Sequence, residues 1–247
     1  MLEKKFAVAS FDVYPNSIIK PVAIQRYMQQ FAREDCDQMG CTYNDMRAIN
    51  MVFVLTKLAI SLKKPVFAYD ELTVRTYNNR IHGVSFEREF EFYRDGEEVI
   101  HATTQWVIVK YDDRSIVRPK LFPFEIPAHN IDGGINLPRA IVSDDEMQSR
   151  GNRTVALSDL DENDHLNNCI YSDISMDFLG EFDRKLNYVK DIKIIFRHEA
   201  KLNDVLAISV GRNGSEASGV NYTVSAVNET SGQPCFETEV SFGSISG

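Results

Sequence analysis

The chain has 247 residues, with 36 Asp and Glu against 27 Lys and Arg, and its formal net charge is −9. With 43% hydrophobic residues and 13 Gly, its composition excludes collagen-like, low-complexity and disordered proteins. An acidic chain also argues against nucleic-acid and membrane-surface partners, which require a concentrated basic face.

The first part of the chain predicts one helix followed by antiparallel strands. Apolar residues at helical spacing predict a helix from Pro21 to about Asp37, with Pro21 in its first turn. Alternating apolar and polar residues then predict strands. These strands cover Met51–Leu62, Glu71–Tyr77, Val84–Tyr93 and Val99–Tyr111.

The same pattern returns after a connector. Residues 126–150 are rich in Pro, Gly and charge, which is typical of a linker. Helical spacing resumes from Asn168 to about Phe182. Further strands are predicted at Val189–Phe196, Val205–Val210, Gly219–Val227 and Phe236–Phe242.

An internal repeat explains this recurrence. Alignment of Asp70 with Asp204, an offset of 134 residues (204 minus 70), keeps the apolar faces of all four strand pairs in phase without a gap. Two β-rich stretches match partly by chance, but a slip of one residue would invert every strand position. The sequence therefore predicts an α+β fold, in which one helix wrapped by an antiparallel sheet occurs twice, at 1–125 and 151–247.

The four cysteines indicate the compartment. They are Cys36, Cys41, Cys169 and Cys235, with no CxxC pair and no His at zinc spacing, so no metal site or redox motif is predicted. Lone reduced thiols fit the cytosol. Since no stretch approaches the ~20 apolar residues of a membrane span, we expect a cytoplasmic protein.

The densest run of chemically capable residues is Ser158–Asn168, directly before the second helix. Asp and Asn side chains cap helix amino termini, which explains one or two of these residues but not the whole run. A lone His such as His165 is more often structural than catalytic. Downstream, Glu199 follows an apolar strand, so it is either exposed by strand alternation or held there for chemistry.

These residues resemble the motifs of the acyl-acyl carrier protein (acyl-ACP) thioesterases. The family has Asp, Asn and His at alternate positions, followed by a hydrophobic residue and two Asn. Asp161, Asn163 and His165 match this pattern, with Leu166 where Val is usual, and Asn167 and Asn168 complete it. The segment Phe196–Ala200 similarly resembles the family's aromatic-Arg-basic-Glu-Cys motif, with Ala200 in place of Cys.

The resemblance implies a double hotdog fold and hydrolysis of fatty acyl-ACP in fatty acid biosynthesis, without a metal or organic cofactor. It implies that Asp161, Asn163, His165 and Glu199 are catalytic, and that the first repeat binds the acyl chain. Ala200 excludes a cysteine nucleophile at that position. Candidate residues for lining the acyl tunnel are Val22, Phe31, Phe53, Leu55 and Phe86, although plain core packing is the favoured interpretation for most of them.

The sequence leaves more than one assignment of the catalytic base open. Glu199 would activate water or attack the thioester directly, while His165 as the base is the other assignment. The backbone amides near Asn167 and Asn168, at the start of the helix, are suited to stabilise the oxyanion. Asp161 would orient Asn163 or His165. A neighbouring apolar tunnel is expected to desolvate Glu199.

The predicted partner is acyl carrier protein. Because such carriers are acidic, docking would need a local basic patch, for which the candidates are Arg184, Lys185, Lys190, Lys193, Arg197 and Lys201. Ordinary solvated surface explains these cations equally well. Acyl-CoA hydrolysis is the nearest alternative, and a non-catalytic acyl-binding module is another. A monomer or a homodimer fits two hotdog copies in one chain.

Overall fold

A helix and an antiparallel sheet occur twice along the chain in this computed structural model, which describes residues 1–179, 187–215 and 219–245. The first unit contains β1 (Leu2–Ala7), α1 (Pro21–Gln38), α2 (Tyr43–Ala48), β2 (Met51–Leu62), β3 (Glu71–His82), β4 (Ser85–Arg94), β5 (Glu97–Lys110) and β6 (Ile116–Val117). The second unit contains β7 (Gln148–Thr154), α3 (Ile170–Phe178), β8 (Asn187–Phe196), β9 (Val205–Ser215), β10 (Gly219–Asn228) and β11 (Gln233–Ser244). The α+β prediction is confirmed.

One continuous sheet joins the two units. Its strand order is β1-β3-β4-β5-β2-β8-β11-β10-β9-β7, with β6 on β5. At the junction Leu58 pairs with Ile194, Ala59 with Lys193 and Ile60 with Ile192. Ala59 and Lys193 are equivalent under the offset of 134 residues, so a pseudo-twofold axis passes between them. The two units therefore meet as the subunits of a symmetric dimer do.

The loops that precede the two long helices repeat the same backbone hydrogen bonds. In the first unit, Tyr14 N donates to Ile18 O (2.8 Å) and Ile19 N donates to Val66 O (2.9 Å). In the second unit, Asp161 N donates to His165 O (2.9 Å) and Leu166 N donates to Ala200 O (2.8 Å). The internal repeat thus extends to the loop that holds the polar cluster.

The core lies between the helices and the sheet. Pro21 occupies the first turn of α1, where the missing N–H costs nothing. The buried face of α1 includes Val22, Ile24, Met28 and Phe31. α1 contacts β1, β3 and α3, while α3 contacts β10 and β11. Gln25 donates a hydrogen bond to Ser172 where the two helices meet.

Several elements differ from the predicted ones. α3 is shorter than predicted, and residues 180–182 of the predicted helix lie outside the described residues. β1, α2 and β7 were not predicted, and β7 begins inside the stretch interpreted as connector. Within the described part of the chain, no helix combines the length and apolar character that crossing a bilayer requires.

A capping box fixes the start of α2. Thr42 Oγ1 accepts a hydrogen bond from Asp45 N (3.2 Å), and the Asp45 carboxylate accepts one from Thr42 N (3.3 Å). We predict that Thr42→Ala lowers the free energy of unfolding by about 1 kcal/mol, since the Asp45 amide at the helix start loses its Oγ1 acceptor. Denaturant unfolding would measure this loss. Thr42→Ser keeps the acceptor and should stay near wild type; an equal loss in both variants would contradict the capping role.

Candidate active site

The loop before α3 is a tight turn held by Asp161. Asp161 Oδ1 accepts backbone N–H groups from Asn163 (2.8 Å) and His165 (3.4 Å). Asp164 adopts a left-handed backbone with φ of 60°, a conformation that Asp tolerates better than most residues. Asp161 therefore orients Asn163 and His165 through their backbone rather than through their side chains.

Glu199 meets His165 across this turn. β8 ends at Phe196, so Glu199 lies three residues beyond the strand. The bond from Leu166 N to Ala200 O brings the turn beside it. His165 Nε2 lies 3.2 Å from Glu199 Oε2, with the His165 side chain 14% exposed and that of Glu199 39% exposed. The prediction that Glu199 is desolvated is wrong.

His165 favours its neutral form. Burial lowers the pKa of the imidazole, and the nearby charge of Arg114 lowers it further, while Glu199 and Asp161 act in the opposite direction. A neutral imidazole can donate one proton and accept another, which is what proton transfer at neutral pH requires.

Two side chains of the first unit reach this cluster. Tyr43, in the first turn of α2, donates its hydroxyl proton to Asn163 Oδ1 at 2.7 Å. Arg114, in the turn between β5 and β6, places Nη2 3.2 Å from Glu199 Oε2. Sequence reasoning missed both residues. The capping sequence at Thr42 and Asp45 could have indicated α2, but no local signal shows that either side chain crosses to the second unit.

An apolar cavity of about 290 Å³ opens beside Asn163, His165 and Glu199. This is near the lower end of the ~300–1,000 Å³ typical of ligand pockets. Most of its apolar wall comes from the first unit and the connector, and includes Met46, Phe53, Leu55, Phe86, Trp106 and Ile126. Three of the tunnel candidates, Phe53, Leu55 and Phe86, line the cavity.

The two other tunnel candidates lie elsewhere. Val22 and Phe31 are buried on α1 and are not among the residues that line the cavity. Phe31 belongs to the main hydrophobic core, whereas Phe86 belongs to a smaller cluster together with Met46 and Ile126. The first unit thus packs two separate apolar clusters, of which the smaller one borders the cavity.

Arg88, which lines the cavity, belongs to a buried ion pair. Arg88 Nη1 lies 2.8 Å from Asp35 Oδ2, and both side chains are almost fully buried. Arg88 also donates to Thr76 Oγ1 at 3.1 Å. A buried charge is tolerated only when it is paired in this way. The ion pair with Asp35 thus holds Arg88 in place at the cavity wall.

The cysteines do not supply a nucleophile. Burial raises the pKa of Cys41 and of Cys169 to about 12 and that of Cys235 to about 11, and it also raises the pKa of Cys36. All four are free thiols. Since the thiolate is the nucleophilic form, none of them is activated at neutral pH.

Asn167 and Asn168 have different surroundings. Asn167 N donates to Asp159 O (2.9 Å), and the Asn167 side chain accepts from Cys169 N (2.9 Å), so Asn167 stabilises the start of α3. Asn168 lines the cavity, whereas Asn167 is not among the lining residues.

The structure brings the four predicted catalytic residues together, since Asp161, Asn163, His165 and Glu199 all border the cavity.

The candidates for the basic patch have different surroundings. Lys193 pairs with Glu239 (2.8 Å) and Arg197 with Glu237 (2.8 Å). Arg184 and Lys185 lie outside the described residues.

The equivalent loop of the first unit lacks this chemistry. The matching hydrogen bonds place Ile18 where the second unit has His165, and Pro65 where it has Glu199. Ile18 is 1% exposed and belongs to the core. The duplicated fold therefore carries these reactive groups in one copy only.

Comparisons with known proteins agree with this arrangement. The family model of the acyl-ACP thioesterase N-terminal domain matches residues 1–120, and that of the C-terminal domain matches residues 142–243. No match was found among curated protein sequences.

Two solved structures have the same fold over nearly the whole chain. An acyl-ACP thioesterase from Bacteroides thetaiotaomicron has a TM-score of 0.83 at 18% identity, covering 98% of this chain and 97% of its own. A 12:0-ACP thioesterase from Umbellularia californica has a TM-score of 0.81 at 17% identity, covering 98% of this chain and 94% of its own. The double hotdog prediction is confirmed.

Proposed function

Because this chain belongs to the acyl-ACP thioesterase family and is a thioester hydrolase, we propose that Glu199, His165 and Asn163 form its catalytic centre. The reaction is the hydrolysis of fatty acyl-ACP to free fatty acid and carrier thiol, a step of fatty acid biosynthesis. The observation that carries the assignment of residues is their position, at the polar mouth of an apolar cavity.

The cavity fits the two parts of such a substrate. The apolar wall around Phe53, Leu55 and Phe86 would take the acyl chain, because burying each CH₂ group is worth about 0.8 kcal/mol. The thioester carbonyl would then lie at the mouth, between Asn163 and Glu199. On this proposal residues 1–125 bind the acyl chain, residues 151–247 carry the reactive groups, and residues 126–150 connect them.

We assign Glu199 as the general base. Its Oε2 atom faces both His165 and Arg114, which leaves Oε1 to accept a proton from water. The water oxygen forms a bond to the carbonyl carbon, and a tetrahedral oxyanion results. When the C–S bond breaks, the proton held by Glu199 or His165 passes to the leaving sulfur, so the products are a carboxylic acid and a thiol.

The oxyanion needs hydrogen-bond donors. Asn163 Oδ1 already accepts the Tyr43 hydroxyl, which leaves the Asn163 Nδ2 group to donate to the oxyanion. Asn168 lines the cavity beside the start of α3, and its backbone amide would assist. Asn167, whose amide already donates to Asp159 O, would act by holding the helix start.

A cytoplasmic location and docking of a carrier protein are also proposed. The four free cysteines support a reducing compartment. Lys190 and Lys201 are exposed cations of the second unit and stay candidates for contact with an acidic carrier. Arg197 also lies at the cavity mouth, although it is paired with Glu237.

The test is thiol release from matched acyl-ACP and acyl-CoA substrates of several chain lengths. We expect hydrolysis with a higher kcat/KM for the ACP thioesters, because a carrier protein offers more contact surface than coenzyme A. Faster hydrolysis of the CoA thioesters would overturn the carrier assignment. Acyl-carrier binding by folded protein without any thiol release would overturn the proposed catalytic centre.

A further inference from the structure

We infer that Tyr43 and Arg114 of the first unit are positioning residues for Asn163 and Glu199 of the second unit, so that both repeats build one catalytic site. This inference rests on the proposed function. Neither residue belongs to the motif segments from Ser158 to Asn168 and from Phe196 to Ala200, and each contacts a different member of that site.

The contact of Arg114 with Glu199 is built into the turn between β5 and β6. Arg114 has a left-handed φ of 57°, a conformation that is strained for a residue with a Cβ. Its guanidinium also lies over the Tyr111 ring, with Cζ 5.2 Å from the centroid. Strain of this kind persists where the surroundings fix the residue. Here the strained turn aims a permanent cation at Glu199.

Arg114 and His165 share one carboxylate oxygen. Each places a nitrogen 3.2 Å from Glu199 Oε2. The carboxylate is thereby held with one oxygen directed at the two nitrogens and the other left for water. The charged groups that act on His165 are Glu199, Arg114, Asp161 and Lys201, and Arg114 is the larger of the two cationic influences. Removing its charge should make protonation of His165 easier.

The contact of Tyr43 with Asn163 fixes an amide orientation. The Tyr43 hydroxyl donates to Asn163 Oδ1 at 2.7 Å. Arg33 Cζ lies 5.0 Å from the centroid of the Tyr43 ring, and Arg33 also pairs with Glu162 of the same loop. Without the hydroxyl, the Asn163 amide can rotate and present its oxygen to the oxyanion. Tyr43 therefore keeps the Asn163 side chain in the orientation that presents its Nδ2 group to the oxyanion.

Arg114→Gln tests the charge contact. We expect kcat to fall about threefold to tenfold at pH 7 with KM nearly unchanged, and the acidic limb of the pH profile to move up by about half a unit to one unit. Arg114→Lys keeps the charge and should keep the profile. Arg80→Gln is the matched control, because it breaks the exposed pair with Asp132 away from the cavity.

His165 gives a readout that does not depend on turnover. When the His165 ring is titrated and followed by NMR, the midpoint of its titration should shift to higher pH in Arg114→Gln and not in Arg80→Gln. An unmoved His165 titration together with an unmoved pH profile would overturn the role of Arg114. If the wild type hydrolysed no thioester but His165 still shifted, the proposed function would fail while the contact stood.

Tyr43→Phe tests the amide contact through a double-mutant cycle. Alone it should lower kcat about threefold to tenfold without moving the pH profile. Combined with Asn163→Ala it should add little, because the amide on which it acts is gone. Tyr93→Phe, which loses a hydroxyl bond to Glu91 away from the cavity, is the control. A full additive loss in the double variant would overturn the role of Tyr43.

Discussion

Glu199→Gln should lower kcat/KM for thioester hydrolysis by about 1,000-fold at pH 7, within the range of 10²–10⁴ for loss of a general base. Gln has nearly the shape of Glu but cannot take a proton from water. It can still accept contacts from His165 and Arg114, so the site should keep its geometry. Thiol release measured under kcat/KM conditions gives the result directly.

The matched control is Glu237→Gln. Glu237 also pairs with an arginine, Arg197 at 2.8 Å, and lies on β11 outside the cavity wall. Both variants remove one negative charge from the second unit, so a general effect of charge would appear in both. Full activity of Glu199→Gln would show that the base is another group, with His165 the first candidate. Folding of both variants is checked by thermal unfolding.

The strands with alternating apolar residues could be predicted because period two is visible in one sequence. β4 and β10, for example, begin 134 residues apart, the offset found by aligning Asp70 with Asp204. β7 could not be predicted in this way. Its seven residues, Gln148–Thr154, contain no apolar alternation and are almost all exposed, because β7 is an edge strand beside β9. Six residues of α2 are likewise too few to show helical periodicity.

The catalytic candidates also divide into residues that a local sequence pattern reveals and residues that it does not. Asn163 and His165 could be found because they stand in one short polar run, and Glu199 because it follows an apolar strand. Tyr43 could not, since 120 residues separate it from the amide that it contacts. The exposure of the Glu199 side chain also could not be predicted from the sequence, because it depends on where the strand ends relative to the cavity mouth. Local patterns predict which residues are reactive, while the junction of the two repeats decides what surrounds them.

Asn163 is expected to have the second largest effect. Asn163→Ala should lower kcat by about 100-fold or more with a small change in KM, the scale found when one oxyanion donor is removed. Asn163→Asp separates the two functions of this side chain. Asp keeps an oxygen that can accept the Tyr43 hydroxyl but has no N–H to donate, and its negative charge would oppose that of the oxyanion.

If donation from Nδ2 is the catalytic function, Asn163→Asp should be at least as slow as Asn163→Ala, although its contact with Tyr43 survives. An Asp variant close to wild type would instead mean that Asn163 serves only to hold the loop. Asn152→Ala, on β7 at the far edge of the sheet, removes an exposed amide that donates to Glu229 (3.1 Å) and serves as control. The order of these three rates decides whether the polar run before α3 supplies a donor to the oxyanion or only caps a helix.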